Sequence, residues 1–337
     1  MDRDLNKISE FSYILTLLKT CLVLGSLIIL ISIAQNPYGF FGTPRIMNFN
    51  DAISSNIYGF DLKSRSATMR WMEKFIDTTT PRAALIGSSR VIKGFEICDQ
   101  EDILKLGLNG IKTHEIGMLA RNLIEKNNGI ALYIELKPDE SHLPIQHDHH
   151  ILNMFFGFTT LIDSTKNFYG SLTSEKKPHK PWCSTPNQPD RASRGNFKKI
   201  DLNTYQLPGR DKKTYQKHIS VDSLKYYTAS IEYIYDICVA TRHHAQITFF
   251  TPPIHPIFAS AKQINEYVSR IREIWTKGQH ASNNNCQIEI AEYQDWEQWL
   301  PADRESWVDS DYWIDENHFN PALGDLFLKT LPGFFTP

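Results

Sequence analysis

The sequence predicts an α/β protein with a largely parallel sheet, helices on both faces of that sheet, and one transmembrane helix before it. Short apolar segments alternate with segments of helical periodicity after residue 78, as they do in βαβ units. Near the N-terminus, the run from Phe11 to Ala34 contains a single charged residue, Lys19. Because about 20 apolar residues are enough to cross a bilayer, this run predicts a membrane span.

The apolar run predicts an uncleaved anchor over residues 11–34, with residues 1–10 as a cytoplasmic tail. Arg3 and Lys7 precede the run, whereas only Arg45 follows it closely. The positive-inside rule therefore places the N-terminus in the cytoplasm and the rest of the chain outside it. Two alternatives stay open at this point. The run could be a buried helix of a soluble protein, or a signal peptide cleaved after the Ser-Ile-Ala sequence that ends it.

Alternating strands and helices place the α/β domain at residues 78–337, after a membrane-proximal linker and helix at 35–77. The predicted strands are Ala83–Ile86, Ile130–Leu136, Gln246–Phe250 and Gln287–Ile290. The predicted helices are Ser64–Ile76, Thr113–Lys126, Val221–Ala240, Ser260–Trp275 and Pro321–Leu331. The alternation stops at about 138–217, a segment rich in Lys, Pro, Asn, Asp and Ser, which predicts either an insertion that shapes substrate access or a solvated excursion.

The composition excludes several classes of protein. The 337 residues carry 36 basic and 38 acidic side chains, so no excess of positive charge supports binding to nucleic acid. No segment repeats at a period of about 20–50 residues, which argues against solenoids and propellers. The five cysteines include no C-x-x-C pair. A zinc site built from thiolates is therefore not expected, and any disulfide is optional.

The segment Gly87-Ser88-Ser89-Arg90 follows the first predicted strand and is a candidate nucleophile turn. A serine at the carboxyl end of a parallel strand lies at the sheet edge where α/β sites assemble. Glycine permits a sharp turn there, and the N–H groups that follow can point at a developing oxyanion. A plain turn is the alternative, because four such residues also occur together by chance.

Two D-x-x-H segments could supply the base that a serine nucleophile needs, together with the carboxylate that orients it. One runs from Asp315 to His318, ahead of the last predicted helix, and the other from Asp139 to His142. The cluster from His147 to His150 invites a metal site. Adjacent side chains diverge on a regular backbone, so we interpret this cluster as a solvated polar loop and expect no metal.

Three blocks of this sequence, in order, resemble the SGNH/GDSL hydrolase superfamily. The resemblance is strongest to its membrane-anchored bacterial branch, which is similar to alginate O-acetylation proteins and to the D-alanyl teichoic acid transfer protein. The blocks are Ala83–Arg90, Leu106–Gly110 and Asp315–Pro321, and Thr251–Pro256 after a strand is also similar to this branch. The resemblance implies a three-layer, flavodoxin-like domain. It also implies a single-pass protein of the bacterial inner membrane, with this soluble domain outside the cytoplasm.

The resemblance also implies roles for individual residues. It implies that Ser89 is the nucleophile, His318 the general base and Asp315 the residue that orients His318. The N–H groups of Ser89 and Gly107 would form the oxyanion hole. Further residues beside these blocks could contact the substrate, through charge, backbone or stacking on sugar rings: Arg90, Asn109, Gly110, Trp307 and Trp313. The alternative for Arg90 is a structural ion pair, and the alternative for the two tryptophans is packing in the core. No cofactor is implied.

The chain departs from the superfamily pattern at three positions. Ser88 stands where the first block usually has Asp, and Lys105 stands where the second block has Asn. The G-x-N-D sequence of the third block is replaced by residues 134–137, which include no Asn. Loss of one oxyanion donor costs about a hundredfold or more in rate. The departures therefore argue against an efficient general esterase.

The resemblance implies an acyl-ester hydrolase or O-acyltransferase that acts on an extracytoplasmic polysaccharide, as in O-acetylation during cell-envelope biosynthesis. A transferase would need a multi-spanning membrane-bound acyltransferase as its partner. The alternative is a non-catalytic protein that binds glycan or assembles a polysaccharide-modifying complex. Zinc-dependent deacetylation through the His147–His150 cluster is a distant third possibility.

Overall fold

The computed structural model describes residues 2–35, 69, 72–73, 75–77, 79–95, 97, 102–138, 221–255, 258–278, 285–293, 313–315 and 318–334. The chain forms two compact units, one containing the N-terminal helix and the other containing the parallel sheet.

The first unit contains α1 (Asp2–Gln35), one continuous helix. Its described side chains between Ser12 and Leu30 are mostly exposed, and apolar ones such as Leu22 and Val23 are 63% and 67% exposed. Within the described part of the chain, no helix meets the length and apolar character that a membrane span requires. The predicted span over 11–34 therefore stays a prediction.

The second unit is built on a five-stranded parallel sheet in the order β2-β1-β3-β4-β5. The strands are β1 (Ala83–Gly87), β2 (Ile103–Gly107), β3 (Ile130–Glu135), β4 (Ala245–Phe250) and β5 (Cys286–Ile290). All five residues of β1 are buried, as expected for a central parallel strand covered on both faces. This strand order is the flavodoxin-like one, so the predicted α/β class with a parallel sheet is confirmed.

The helices of this unit that lie wholly within the described ranges are α2 (Ser89–Gly94), α3 (Thr113–Lys126), α4 (Leu224–Thr241), α5 (Ala261–Lys277) and α6 (Pro321–Leu328). A single 3₁₀ turn, Val221–Ser223, leads into α4. Helix α4 packs against both α3 and α5, and α2 packs against α6. A short antiparallel pair, β6 (Trp313–Asp315) and β7 (His318–Phe319), precedes α6.

Each strand or helix predicted wholly within the described ranges is found, with its ends within three residues of the prediction, whereas the helix predicted over 64–76 lies partly outside those ranges. The prediction for α3 is confirmed at both ends, and the strand predicted over 130–136 ends one residue earlier. The helix predicted over 321–331 ends at Leu328. Strand β2 was not predicted, because Lys105 divides its apolar residues. The insertion predicted at 138–217 lies, apart from its first residue, outside the described ranges.

A disulfide joins Cys238 of α4 to Cys286 at the start of β5, with a Cα–Cα distance of 6.0 Å. The spacing of 48 residues between them gave no sequence signal for this pair. The bond fixes the edge strand β5 to the helix layer beside it. Disulfides persist mainly in oxidising compartments outside the cytoplasm.

Candidate active site

The carboxyl ends of β1, β2 and β3 meet at one edge of the sheet. β1 lies between β2 and β3, so the chain crosses over from one side of β1 to the other at this point. In a doubly wound sheet, ligands bind outside the carboxyl ends of the strands where the order reverses. The residues that end these strands or follow them directly include Gly87, Ser89, Gly107 and Glu135.

Ser89 and His318 meet at this edge although 229 residues separate them in sequence. The Ser89 Oγ lies 2.8 Å from the His318 Nε2. With Nε2 unprotonated, the serine hydroxyl donates a hydrogen bond to it, which is the arrangement that a general base requires. Both side chains are half-buried, so the pair is reachable from solvent.

Asp315 is in register with His318 in the antiparallel pair of β6 and β7. The backbone thus brings together the two residues of the second D-x-x-H segment. The side chain of Asp315 lies outside what the structure describes, and its predicted role in orienting His318 stays a prediction. The Asp139–His142 segment also lies outside the described ranges, as does the His147–His150 cluster.

Ser88 forms the turn that starts α2 and presents Ser89. It is the N-cap residue, with extended backbone angles, and its Oγ accepts a hydrogen bond from the Arg90 N at 3.3 Å. This is the usual way in which a serine satisfies one N–H of a first helical turn. The N–H of Ser89 belongs to the same first turn, where no carbonyl within the helix is in reach. Its predicted part in an oxyanion hole is compatible with this position.

Glu135 occupies the end of β3 directly behind this turn. It is 1% exposed, its Oε2 accepts a hydrogen bond from the Ser88 N at 2.6 Å, and its Oε1 accepts one from the Ser88 Oγ at 3.0 Å. Burial alone would raise the pKa of Glu135, but the charges of Arg90 and Lys137 and the two hydrogen bonds from Ser88 outweigh it. The pKa of Glu135 is therefore lowered, and the carboxylate is ionised at neutral pH.

Two close backbone approaches hold His318 against α2. A Cβ added to Gly94, the last residue of α2, would overlap the ring of Phe319, the neighbour of His318. A Cβ added to Gly324 in α6 would overlap the carbonyl oxygen of Gly94. Phe319 is fully buried and packs edge-on against Phe95 at 5.0 Å between ring centroids. The two glycines therefore set the distance between the strand that carries His318 and the helix that carries Ser89.

The start of α6 is fixed by its own sequence. Asn320 caps the helix, since its Oδ1 accepts a hydrogen bond from the Leu323 N at 3.2 Å. Pro321 follows at the first helical position, where a missing N–H costs nothing. Because Asn320 is only two residues beyond His318, this cap fixes the backbone on the carboxyl side of His318.

Lys105, which departs from the second-block pattern, has a structural role. Its Nζ donates to the carbonyl oxygens of Ile92 and Phe95, at 3.3 and 2.7 Å, at the end of α2. Cations there satisfy carbonyls that lack a helical partner and interact favourably with the helix dipole. Gly107, in the same strand, packs against Ile92, whose side chain a Cβ on Gly107 would overlap. Both residues thus position α2, while the oxyanion role of Gly107 stays a prediction.

The residues predicted to contact substrate lie in different surroundings in the structure. Asn109 and Gly110 lie in an exposed turn after β2, and Gly110 has a φ of +57° that favours glycine. Arg90 is bound to the buried Glu135 carboxylate at 3.0 Å, which is the structural ion pair that was its alternative role. Trp307 lies outside the described residues.

Trp313 is buried, as its core-packing alternative expects. Trp313 is 5% exposed and packs against His255, with 4.6 Å between ring centroids, and against Phe319. A ring enclosed in this way has no face on which a sugar can stack. Trp313 is a core residue that supports the β6–β7 pair from inside.

The buried His255, which packs against Trp313, makes the stability of the folded protein sensitive to acid. Burial lowers the pKa of His255 to about 4, from an ordinary value of 6.5. Between these values the unfolded chain binds a proton that the folded protein does not, so the free energy of unfolding falls as the pH falls. We expect a loss on the order of 3 kcal/mol between neutral pH and about pH 4.

Thermal unfolding between pH 4 and 7 measures this effect, with His255→Gln and the exposed His244→Gln as a matched pair. His255→Gln should show a flatter pH dependence than the wild-type protein, whereas His244→Gln should retain the wild-type slope. Equal slopes in all three proteins would refute the assignment of this acid sensitivity to His255.

Among the described residues, no group of three or more His, Cys, Asp or Glu side chains is arranged to hold a metal ion. No protein-family model matches this chain, and a comparison with curated proteins gives no significant match. Assignment of a function therefore depends on the geometry of the site.

Proposed function

We propose that the protein is a membrane-anchored SGNH-like acyl-ester hydrolase or O-acyltransferase that acts on polysaccharide outside the cytoplasm. The observation that carries the proposal is the 2.8 Å contact between the Ser89 Oγ and the His318 Nε2. The contact lies at the carboxyl edge of a parallel sheet in flavodoxin-like order, beside the strand crossover. The order of the three matching sequence blocks supports the same superfamily.

The reaction follows from this pair. The Ser89 Oγ attacks the carbonyl carbon of an acyl ester while its proton passes to the His318 Nε2. The tetrahedral intermediate expels the alcohol, which takes that proton, and the acyl group stays on Ser89. Water or a sugar hydroxyl then attacks the acyl-enzyme and gives its proton to His318. When the acyl–oxygen bond breaks, this proton returns to Ser89.

Two features support a location outside the cytoplasm with an N-terminal anchor. The Cys238–Cys286 disulfide fits an oxidising compartment. The exposed leucine, isoleucine and valine side chains of α1 are of the kind that a bilayer would cover, and the basic residues precede them. If the reaction is transfer, a multi-spanning acyltransferase partner would deliver the acyl group across the membrane.

One observation favours the non-catalytic alternative, a glycan-binding or assembly component. The end of β3, where the superfamily has an Asn donor, supplies the carboxylate of Glu135, and this carboxylate is bound to Ser88. A carboxylate cannot donate a hydrogen bond to an oxyanion. The alternative predicts binding of glycan without turnover and no effect of replacing Ser89.

The proposal is tested by reaction of the full-length protein, in detergent micelles, with a fluorophosphonate probe. The probe forms a P–O bond to an activated serine and releases fluoride, so intact mass reports the adduct. We expect one adduct, located on Ser89 by peptide mapping, and none in Ser89→Ala. The control is Ser269→Ala, which changes an exposed serine of α5 and should react as the wild-type protein does.

An acetyl ester assayed beside the probe separates the two functions. Turnover that disappears in Ser89→Ala supports the enzyme. A folded wild-type protein that neither reacts with the probe nor hydrolyses the ester would overturn the enzymatic proposal in favour of glycan binding or assembly.

A further inference from the structure

The buried Glu135 carboxylate has no part in the acyl-transfer steps, although it lies directly behind the nucleophile turn. It ends a strand whose other residues are apolar except for Tyr133, and its side chain is 0% exposed. A buried carboxylate is costly unless hydrogen bonds and opposite charge stabilise it. The contacts around Ser88 and Ser89 therefore have to explain why a carboxylate is buried at this position.

The carboxylate binds both hydrogen-bond donors of Ser88 at once. One oxygen accepts from the backbone N–H of Ser88 at 2.6 Å, and the other accepts from its hydroxyl at 3.0 Å. The hydroxyl of Ser88 in turn accepts from the backbone N–H of Arg90. This chain of hydrogen bonds fixes Ser88 before Ser89 and the backbone of Arg90 after it, and so holds the turn that carries Ser89.

Gly87 makes the approach of the carboxylate possible. A Cβ at Gly87 would lie 2.6 Å from the Glu135 Oε2 and 2.8 Å from the Glu135 Cβ, both too close for real atoms. The glycine of the nucleophile block is thus required by the close approach of Glu135. Arg90 binds the Oε1 at 3.0 Å and completes the set of partners.

We propose that Glu135 is a positioning residue for the nucleophile: its carboxylate holds Ser88 so that the Ser89 hydroxyl reaches His318. The inference rests on the proposed function, because it concerns the same serine. Glu135 is the last residue of β3, and its side chain contacts the turn at Ser88 and not the reacting atoms. Charge is part of its role, since the carboxylate forms an ion pair with the Arg90 guanidinium at 3.0 Å.

Glu135→Gln tests the inference with a side chain of the same shape. The amide keeps one acceptor oxygen, but its NH₂ group replaces the oxygen that accepts from Ser88 or from Arg90. We expect the rate of fluorophosphonate labelling of the full-length protein to fall by about tenfold to a hundredfold, because small displacements of reacting groups have effects of this size. The matched control is Glu289→Gln, an exposed position on β5, which should label at the wild-type rate.

A spectroscopic measurement separates positioning from loss of stability. In protein labelled with [¹⁵N]histidine, the His318 Nε2 resonance reports its hydrogen bond to Ser89, and Ser89→Ala gives the reference for its loss. We expect Glu135→Gln to move this resonance toward the Ser89→Ala value at temperatures well below unfolding. A labelling rate within about threefold of wild type, or an unchanged His318 resonance, would overturn the inference.

Two further outcomes keep the test decisive. If Glu135→Gln does not fold, Ser88→Ala replaces it, because it removes only the hydroxyl that Glu135 binds, and the same two measurements apply. If the wild-type protein does not react with the probe, the proposed function fails. The histidine resonance then still decides whether Glu135 positions Ser89.

Discussion

Replacing Gly324 with alanine is expected to separate α6 from α2 and to abolish the contact between Ser89 and His318. The new Cβ would overlap the carbonyl oxygen of Gly94, a backbone atom that no side-chain rotation can move. The overlap is relieved only if α6 shifts, and α6 follows His318 after one Phe and one Asn. Overpacking of this kind costs about 1–3 kcal/mol, and more where backbone must move.

Both thermal unfolding and fluorophosphonate labelling should show the effect of Gly324→Ala. We expect a lower melting temperature together with a loss of labelling larger than the loss of stability explains. The control is Gly25→Ala, also at a helical glycine, where an added Cβ meets nothing within 4 Å. A Gly324→Ala protein that labels at the wild-type rate would show that the close approach of α6 to Gly94 does not set the position of His318.

Replacing His318 with glutamine is expected to slow acyl-enzyme formation by about a thousandfold or more without unfolding the protein. The glutamine amide can still hydrogen-bond to the Ser89 hydroxyl, which lies 2.8 Å from the Nε2 in the wild-type protein. An amide cannot take the proton of that hydroxyl at neutral pH, so the nucleophile is no longer activated. The loss therefore measures base catalysis separately from the hydrogen bond.

The measurement is single-turnover release of the alcohol from a chromogenic acyl ester, with melting temperature as the check on folding. His244→Gln is the control, since it makes the same change at an exposed position before β4, at the opposite edge of the sheet. If His318→Gln retained more than about a tenth of the wild-type rate, another group would have to be the base, and the pairing of His318 with Ser89 would be structural.

Local patterns predicted much of this architecture. The apolar residues of β1 and the periodicity of α3 depend on neighbours within a few positions, so the sequence shows them directly. The same holds for the Ser89 turn and for the segment that contains His318, because each begins or ends a regular element. That the two meet was suggested by the order of the superfamily blocks, not by spacing.

The support around the site was not predicted, because it depends on contacts between distant segments. Gly94 and Gly324 meet across 230 residues, and neither follows a pattern that indicates a close approach. One signal was present in the sequence: Glu135 is the charged residue that ends an apolar strand. The two interpretations of Trp313 could not be separated from the sequence, because an aromatic residue beside a predicted site gives the same pattern whether it packs inside or binds ligand.

The Ser89–His318 contact also has a consequence for the order in which the chain becomes competent. All five described strands of the sheet and Ser89 precede residue 291, whereas His318 is contributed by a segment after residue 312. On the proposed function, the nucleophile is therefore synthesised well before the base that would activate it. Reactivity is then expected only once α6 packs against α2 and brings His318 to Ser89.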